Sequence, residues 1–300
     1  MALNKQIWLN TIIENFFAND SFAVRSVDDS AFVSNKTVHV PNAGAPSGVV
    51  INRTKGTAAD ITQRTDNDLT YDIDELTTNP ILIPNIDTVE LSYDKRASVL
   101  NNDRTQLQQT ACQNLLYNWF IAANYVETSG TAATAHTDSA TGKRKKITKA
   151  DVLSIATQFN KDDVPTEGRV LLLDAVMYAD LLANLTDSEL PAFLASANAQ
   201  NGTLGRLYGF DVMMRSKVLR TSSAKALSKW TEDGAAGDLA CGLAWQKDCV
   251  SRALGELKMF SNTDDPTLYG DVYSFLLRTG GKYRRYDSKG VCSIIETATT

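Results

Sequence analysis

Histidine is nearly absent from this 300-residue chain, which has only His39 and His136. That is thin material for general acid–base or triad catalysis, and no GxSxG, HExxH or SxxK pattern supplies a nucleophile or a metal pair. Cysteine is almost as scarce. Cys112, Cys241, Cys249 and Cys292 show no CxxC spacing and are too few for a disulfide scaffold, so they read as reduced, mostly buried thiols. An excess of positive charge is missing too. The 30 Lys and Arg against 35 Asp and Glu leave a formal charge of -5, which argues against a protein built to grip phosphates but not against one that encloses nucleic acid. No basic segment followed by an apolar run opens the chain, and no stretch approaches the roughly 20 apolar residues that span a bilayer. Synthesis in a cytoplasm and no membrane partner are therefore expected.

Cofactor signals are also lacking. RTGGKYRR has no phosphate-loop form, and Gly280-Gly281 within it reads as a hairpin turn. Asp264, Asp265 and Asp271 do not fit the spacing of a calcium loop, so they read as a capped turn before a strand. No cofactor, metal or catalytic residue is assigned, and no internal period marks a solenoid.

What the chain does have is 43% hydrophobic content, enough to bury a sizeable core. Residues 5–17, KQIWLNTIIENFF, place Trp8, Phe16 and Phe17 with Ile7, Ile12 and Ile13 on one aromatic band at helical spacing. Such a helix either packs on its own domain or docks on a neighbouring subunit. Strand signals follow in TVHV, GVVINRT and DLTYDIDEL, the last alternating Leu69, Tyr71 and Ile73 against Thr70, Asp72 and Asp74. These suggest a long two-stranded hairpin whose loose tip is the polar RTKGTAADITQRTDN. With so few large apolar residues, it needs a surface to lie on.

A long helix is expected from about residue 94 to 125, with Leu100, Leu107, Ala111, Leu115, Trp119 and Ala122 on one stripe and Cys112, Leu116, Phe120 and Ala123 widening it. Residues 127–146 are rich in Ala, Thr, Ser and Gly and end in GKRKK, so they read as a solvated loop carrying His136. Thr148 and Asp151 then predict a capped helix, GRVLLLD a buried strand, AVMYADLLANL a helix, and Thr186, Asp187 and Ser188 another cap. With the strand pair in GRLYGFDVMMRSKVLR this makes an α/β module. LACGLAWQ and LGELKMFS read as strands, with KDCVSRAL between them as a short helix, and the chain closes in antiparallel sheet with a turn at Ser288-Lys289-Gly290.

The order of these elements, with VELSYDKRASVL, GRVLLLDAVMYADLL, GRLYGFDVMMRSKVL and LYGDVYSFLLRTGGKYRR at its joints, resembles the tailed-bacteriophage major capsid proteins of the Hong Kong 97-type fold over nearly the whole chain. The resemblance implies an α+β fold: an N-terminal arm (1–46), an extended E-loop hairpin (47–86), a P-domain with a long spine helix and antiparallel sheet (87–147 and 254–300), and an α/β A-domain (148–253). It places Gly209 where a strand approaches other backbone closely. It implies a homo-oligomer of pentamers and hexamers, an icosahedral shell assembled in a host bacterial cytoplasm, and DNA enclosed without sequence-specific binding. A separate scaffolding protein, a portal and optional cement proteins would be partners.

The implied inter-subunit contacts are Trp8, Phe16 and Phe17 of the arm, and the acidic Asp66, Asp68, Asp72, Asp74 and Glu75 facing Lys282, Arg284 and Arg285 of the next copy. Lys55 is a candidate, by position alone, for the covalent cross-link that some relatives form. The competing readings are an encapsulin-like nanocompartment shell, a soluble α/β enzyme with an unrecognised site, and another virion component such as a tail or decoration protein.

Overall fold

The structure is a computed structural model that describes residues 21–32, 36–56, 58, 61, 63–85, 95–198, 202–222, 224–228 and 234–299. The expected aromatic helix at 5–17, with Trp8, Phe16 and Phe17, and the expected strand at 87–93 lie outside the described residues. In chain order the first elements are β1 (Val27–Asp28), β2 (Thr37–Asn42), β3 (Asn67–Asp72), β4 (Asp74–Thr77), β5 (Ile81–Pro84) and α1 (Lys95–Trp119). Then come β6 (Tyr125–Glu127), β7 (Ala132–Thr134), β8 (Lys143–Lys145), α2 (Lys149–Lys161), β9 (Arg169–Asp174), α3 (Ala175–Asn184) and α4 (Glu189–Ala195). The rest is strand: β10 (Gly205–Leu207), β11 (Phe210–Arg215), β12 (Leu219–Thr221), β13 (Leu227–Ser228), β14 (Leu239–Gln246), β15 (Ser251–Asp265), β16 (Gly270–Gly280), β17 (Val291–Ile295) and β18 (Ala298–Thr299).

The larger sheet runs β10-β11-β9-β14-β12-β13, with β17 along the other side of β14 and β6 beyond it. Its central strands are continuous apolar runs because both faces are covered. Every residue of β9, β14 and β17 is buried. Alternation sorts them: Val170 and Leu172 face one core with Trp119 and Trp245, while Leu171 and Leu173 face the other with Val152, Ile155 and Phe159 of α2 and Met177 and Leu181 of α3. The helix α2 starts as its sequence predicts, on a capping box in which the Thr148 side chain accepts from the Asp151 N–H and the Asp151 carboxylate accepts from the Thr148 N–H.

The second sheet is a long antiparallel pair, β15 and β16, flanked by β4 and β5 on β16 and by β1 on β15. One helix serves both sheets. Leu100, Leu107 and Ala111 of α1 pack against Leu257, Met259, Tyr273, Phe275 and Leu277 of the second sheet. Leu115, Leu116 and Trp119, farther along the same helix, pack into the Trp245 core of the first. The Trp119 Nε1–H donates to the Ser251 carbonyl at 2.8 Å, so the far end of the helix is pinned where β15 begins.

Several expectations need correction. GVVINRT is not a strand: β2 pairs directly with β3, from Thr37↔Asp72 to Asn42↔Asn67, and the segment falls within the tip beyond that ladder. Its β-branched residues find no partner strand among the described residues, and Asn52 turns the chain at a φ of 54°. The helix α1 ends at Trp119 rather than near residue 125, because residues 121–124 turn, with the Asn124 N–H on the Ile121 carbonyl, and deliver Tyr125 into a strand parallel to β17. Ala122 and Ala123 are consequently exposed.

The stretch 127–146 is not a solvated loop throughout, since β7 and β8 pair within it and β18 adds to β8. KDCVSRAL divides between a single 3-10 turn, Lys247–Cys249, and the start of β15. Gly280-Gly281 is not a hairpin turn. The chain runs straight on beside Val250, which bridges Tyr283. A Cβ on Gly281 would stand 2.4 Å from the Ser251 carbonyl oxygen and 2.8 Å from the Leu115 side chain, so close packing is what these glycines permit. Gly209 shows the reverse. It occupies the β10–β11 turn with Tyr208, at φ values of 86° and 47°, and open space surrounds it; the turn geometry, not close approach, accounts for it.

Candidate inter-subunit surfaces

Among the described residues no group of His, Cys, Asp and Glu is arranged to hold a metal ion, and no helix is long and apolar enough to cross a membrane. The candidate functional features are surfaces. The most prominent is the β2–β3 hairpin. Alternation gives it one inner face, Val38, Val40, Leu69 and Tyr71, which packs with Ile73 on Ala253 and Tyr283 of the same chain.

Three polar contacts fasten its base. Tyr71 donates its hydroxyl to Asp29 at 3.1 Å, Arg284 donates to both oxygens of Asp29 at 2.7 Å, and the Lys282 ammonium donates to the Thr70 carbonyl at 3.1 Å. Burial is the main cause that raises the Tyr71 phenol above its usual pKa, so it remains the donor.

Past Asn42 the character changes. Val49, Val50, Ile51 and Ile61 are 92%, 59%, 85% and 100% exposed, a row of large aliphatic side chains in water. Other exposed apolar side chains occur on β15–β16: Phe260 along the ladder and Leu268 and Tyr269 in the connecting turn are 51%, 46% and 79% exposed. Nothing in the sequence pattern marked them. Phe260 sits at an ordinary strand position, paired with Ser274 of β16.

Most of the acidic and basic residues expected to face one another between copies have partners within the chain. Asp66 accepts from Arg64, Asp68 contacts His39 at 2.5 Å, and Asp72 accepts from the Thr37 hydroxyl at 2.6 Å. Asp72, Asp74 and Lys282 line one recess of about 330 Å³ at the hairpin base. Glu75 is exposed on β4, opposite Arg278 of β16. Arg284 is committed to the buried Asp29, whereas Arg285 holds Asp287 at the surface. Asp29 is the carboxylate that joins Arg284 and Tyr71, a role invisible in the sequence because Asp29 and Arg284 are 255 positions apart. Lys55 is exposed beside Gly56 in the tip.

Cys112, Cys241, Cys249 and Cys292 are all buried and unbridged, as expected. Burial pushes the Cys249 thiol up to about 11 and the Cys292 thiol up to about 12, which leaves both protonated and unreactive at neutral pH.

No protein-family model matches the sequence, and no curated protein is significantly similar to it. Similarity appears among solved structures. A chain of Mycobacterium phage Che8 is 18% identical with a TM-score of 0.62, over 91% of this chain and 90% of that one. A chain from the capsid structure of cyanophage P-SCSP1u is 17% identical with a TM-score of 0.63, over 92% and 87%. A chain from the capsid of Ralstonia phage GP4 reaches a TM-score of 0.67 at 14% identity, over 92% and 88%. Likeness across nine-tenths of both partners at such low identity is a likeness of fold: this chain has the mixed α+β fold of chains from tailed-phage capsids.

Proposed function

We propose that this chain is a major capsid protein, one of many copies that assemble through pentamers and hexamers into the icosahedral shell around a tailed phage's double-stranded DNA. The observation that carries the reading is the hairpin tip: on a fold shared with phage capsid chains, Val49, Val50, Ile51 and Ile61 extend into solvent beyond a ladder that is itself well anchored. A neighbouring copy offers the cover such residues need, and symmetry then repeats each contact around the shell.

In this reading residues 47–86 are the extended loop, α1 is the spine of the peripheral domain with β15 and β16, and the buried sheet with α2 and α3 is the core of the axial domain. The net charge of -5 suits a wall that holds DNA without gripping it. Lys282 and Arg285 on one copy and Asp74 and Glu75 on the next provide surface pairs that are individually weak, about 0 to 1 kcal/mol. Arg284, held by Asp29, contributes to the hairpin base instead.

The test is expression of the protein alone and with its candidate scaffolding partner, followed by particle mass from sedimentation and imaging of the fractions. Closed shells, or rings of five and six, are expected. A monomer under both conditions would overturn the reading. Shells that carry enzyme cargo and no nucleic acid in their native source would transfer the same architecture to a nanocompartment.

A further inference from the structure

The least expected cluster in the molecule surrounds His136. Its Nε2 lies 2.8 Å from Asp174, whose other oxygen caps α3 by accepting from the Met177 N–H at 2.7 Å. Its Nδ1 is buried without a hydrogen bond, 3.7 Å from Glu296 Oε2. Glu296 is fully buried; its Oε1 accepts from Arg144 at 2.7 Å, and Arg144 also donates to Asp180 of α3 at 2.7 Å and to the Thr134 carbonyl at 3.1 Å.

The neighbouring charged groups are few. Lys146 lies 3.4 Å from Asp180, and Asp238 is paired with Arg220 at 3.0 Å while its carbonyl accepts from Thr137. The Cys241 thiol stands on β14, its pKa raised chiefly by burial. The cluster thus joins four parts of the chain: the β7–β8 hairpin, the end of β9, α3, and the C-terminal segment whose β18 pairs with β8.

We propose that His136, Asp174, Glu296, Arg144 and Asp180 form a proton-operated clasp, which fastens the C-terminal segment and the β7–β8 hairpin to the buried sheet when the site is protonated and loosens them when its protons are lost. The charge balance is the physical reason. With a proton on His136 and one on Glu296, the cations His136 and Arg144 face the carboxylates Asp174 and Asp180. Without them, Arg144 is the one buried cation facing three carboxylates, Lys146 reaching only Asp180 from the more exposed side, in a site nearly closed to water where unpaired charge is costly.

The direction of the titration agrees. Burial acts to lower the His136 pKa, but the hydrogen bond and charge of Asp174, with Glu296, outweigh it and the net shift is upward from 6.5. Burial is the dominant cause that raises Glu296 from 4.5 to about 7. Both groups therefore bind protons more tightly in the closed site than in an open one. The closed form is favoured at mildly acid pH and weakens as pH rises through neutrality.

Hydrogen exchange of the full chain, corrected for the intrinsic pH dependence of exchange, tests this. Between about pH 6 and about pH 8.5, protection in peptides covering 132–145 and 293–299 is expected to fall roughly tenfold or more, while β15 and β16 keep theirs. Glu296→Gln, which cannot ionise and leaves only His136 to titrate, is expected to show a clearly smaller fall than the unmodified chain. Flat protection in the unmodified chain overturns the proposal whether or not the variant folds, and so does an undiminished drop in Glu296→Gln.

Discussion

The β14–β17 ladder and the β2–β3 ladder are both antiparallel, the first pairing five positions and the second six, yet they solve opposite problems. In the first, every side chain is buried by helices or by another strand of the same chain. In the second, one face alternates into a small core, and beyond the last pair the side chains lie in water although several are as apolar as any in the interior. The contrast separates two kinds of apolar residue. Those of the buried sheet hold one chain in shape, and those of the tip have no cover among the described residues of this chain.

Substitutions can break that contrast at its strongest point. Trp245 packs on Trp119 with ring centroids 5.3 Å apart and donates its indole N–H to the Arg25 carbonyl. Trp245→Ala is expected to cost about 3–5 kcal/mol, read as a lowered midpoint in chemical denaturation. A loss below about 1 kcal/mol would mean the sheet is less self-sufficient than its burial implies.

Gly281→Val probes the joint between the two regions, where an added side chain meets the Ser251 backbone and Leu115. A penalty of roughly 1–3 kcal/mol is expected in the same assay, because backbone cannot move aside as a side-chain tip can. The smallest effect on folding should come from replacing Val49, Val50 and Ile51 together by Ser. Monomer stability is expected to stay within about 0.5 kcal/mol, while particle yield in sedimentation collapses. Unchanged yield would remove the tip from the assembly contacts.

The same contrast explains what could be read from residues alone. GRVLLLD is legible as a buried strand, and LACGLAWQ as a strand, because a sheet covered on both faces demands uninterrupted apolar runs. The Thr148–Asp151 box and the Leu100–Leu107–Ala111–Leu115 stripe are local, and both appear as expected. GVVINRT misleads because β-branched composition reports a fit to a half-buried pleated surface, and that segment has no ladder to join. Gly280-Gly281 misleads because a glycine pair signals a turn and a close approach equally well. His136 and Arg144 sit in a segment of low-complexity composition, and their partners Asp174 and Glu296 are 38 and 152 positions away. No local pattern encodes such pairings. The exposed tip is half legible: its want of a core shows in the sequence, its position past Asn42 only in the structure.

The helix α1 has one further consequence. Its 25 residues make a rod of about 37 Å that grips the second sheet through Leu100 and Leu107 and the buried sheet through Trp119. A close-packed interior resists compression, so a displacement of the second sheet where it meets Leu100 and Leu107 bears on the buried sheet at the Trp119 end. The Trp119–Ser251 hydrogen bond stands where the helix passes from one sheet to the other, so a change of tilt in one sheet bears on the packing of the other.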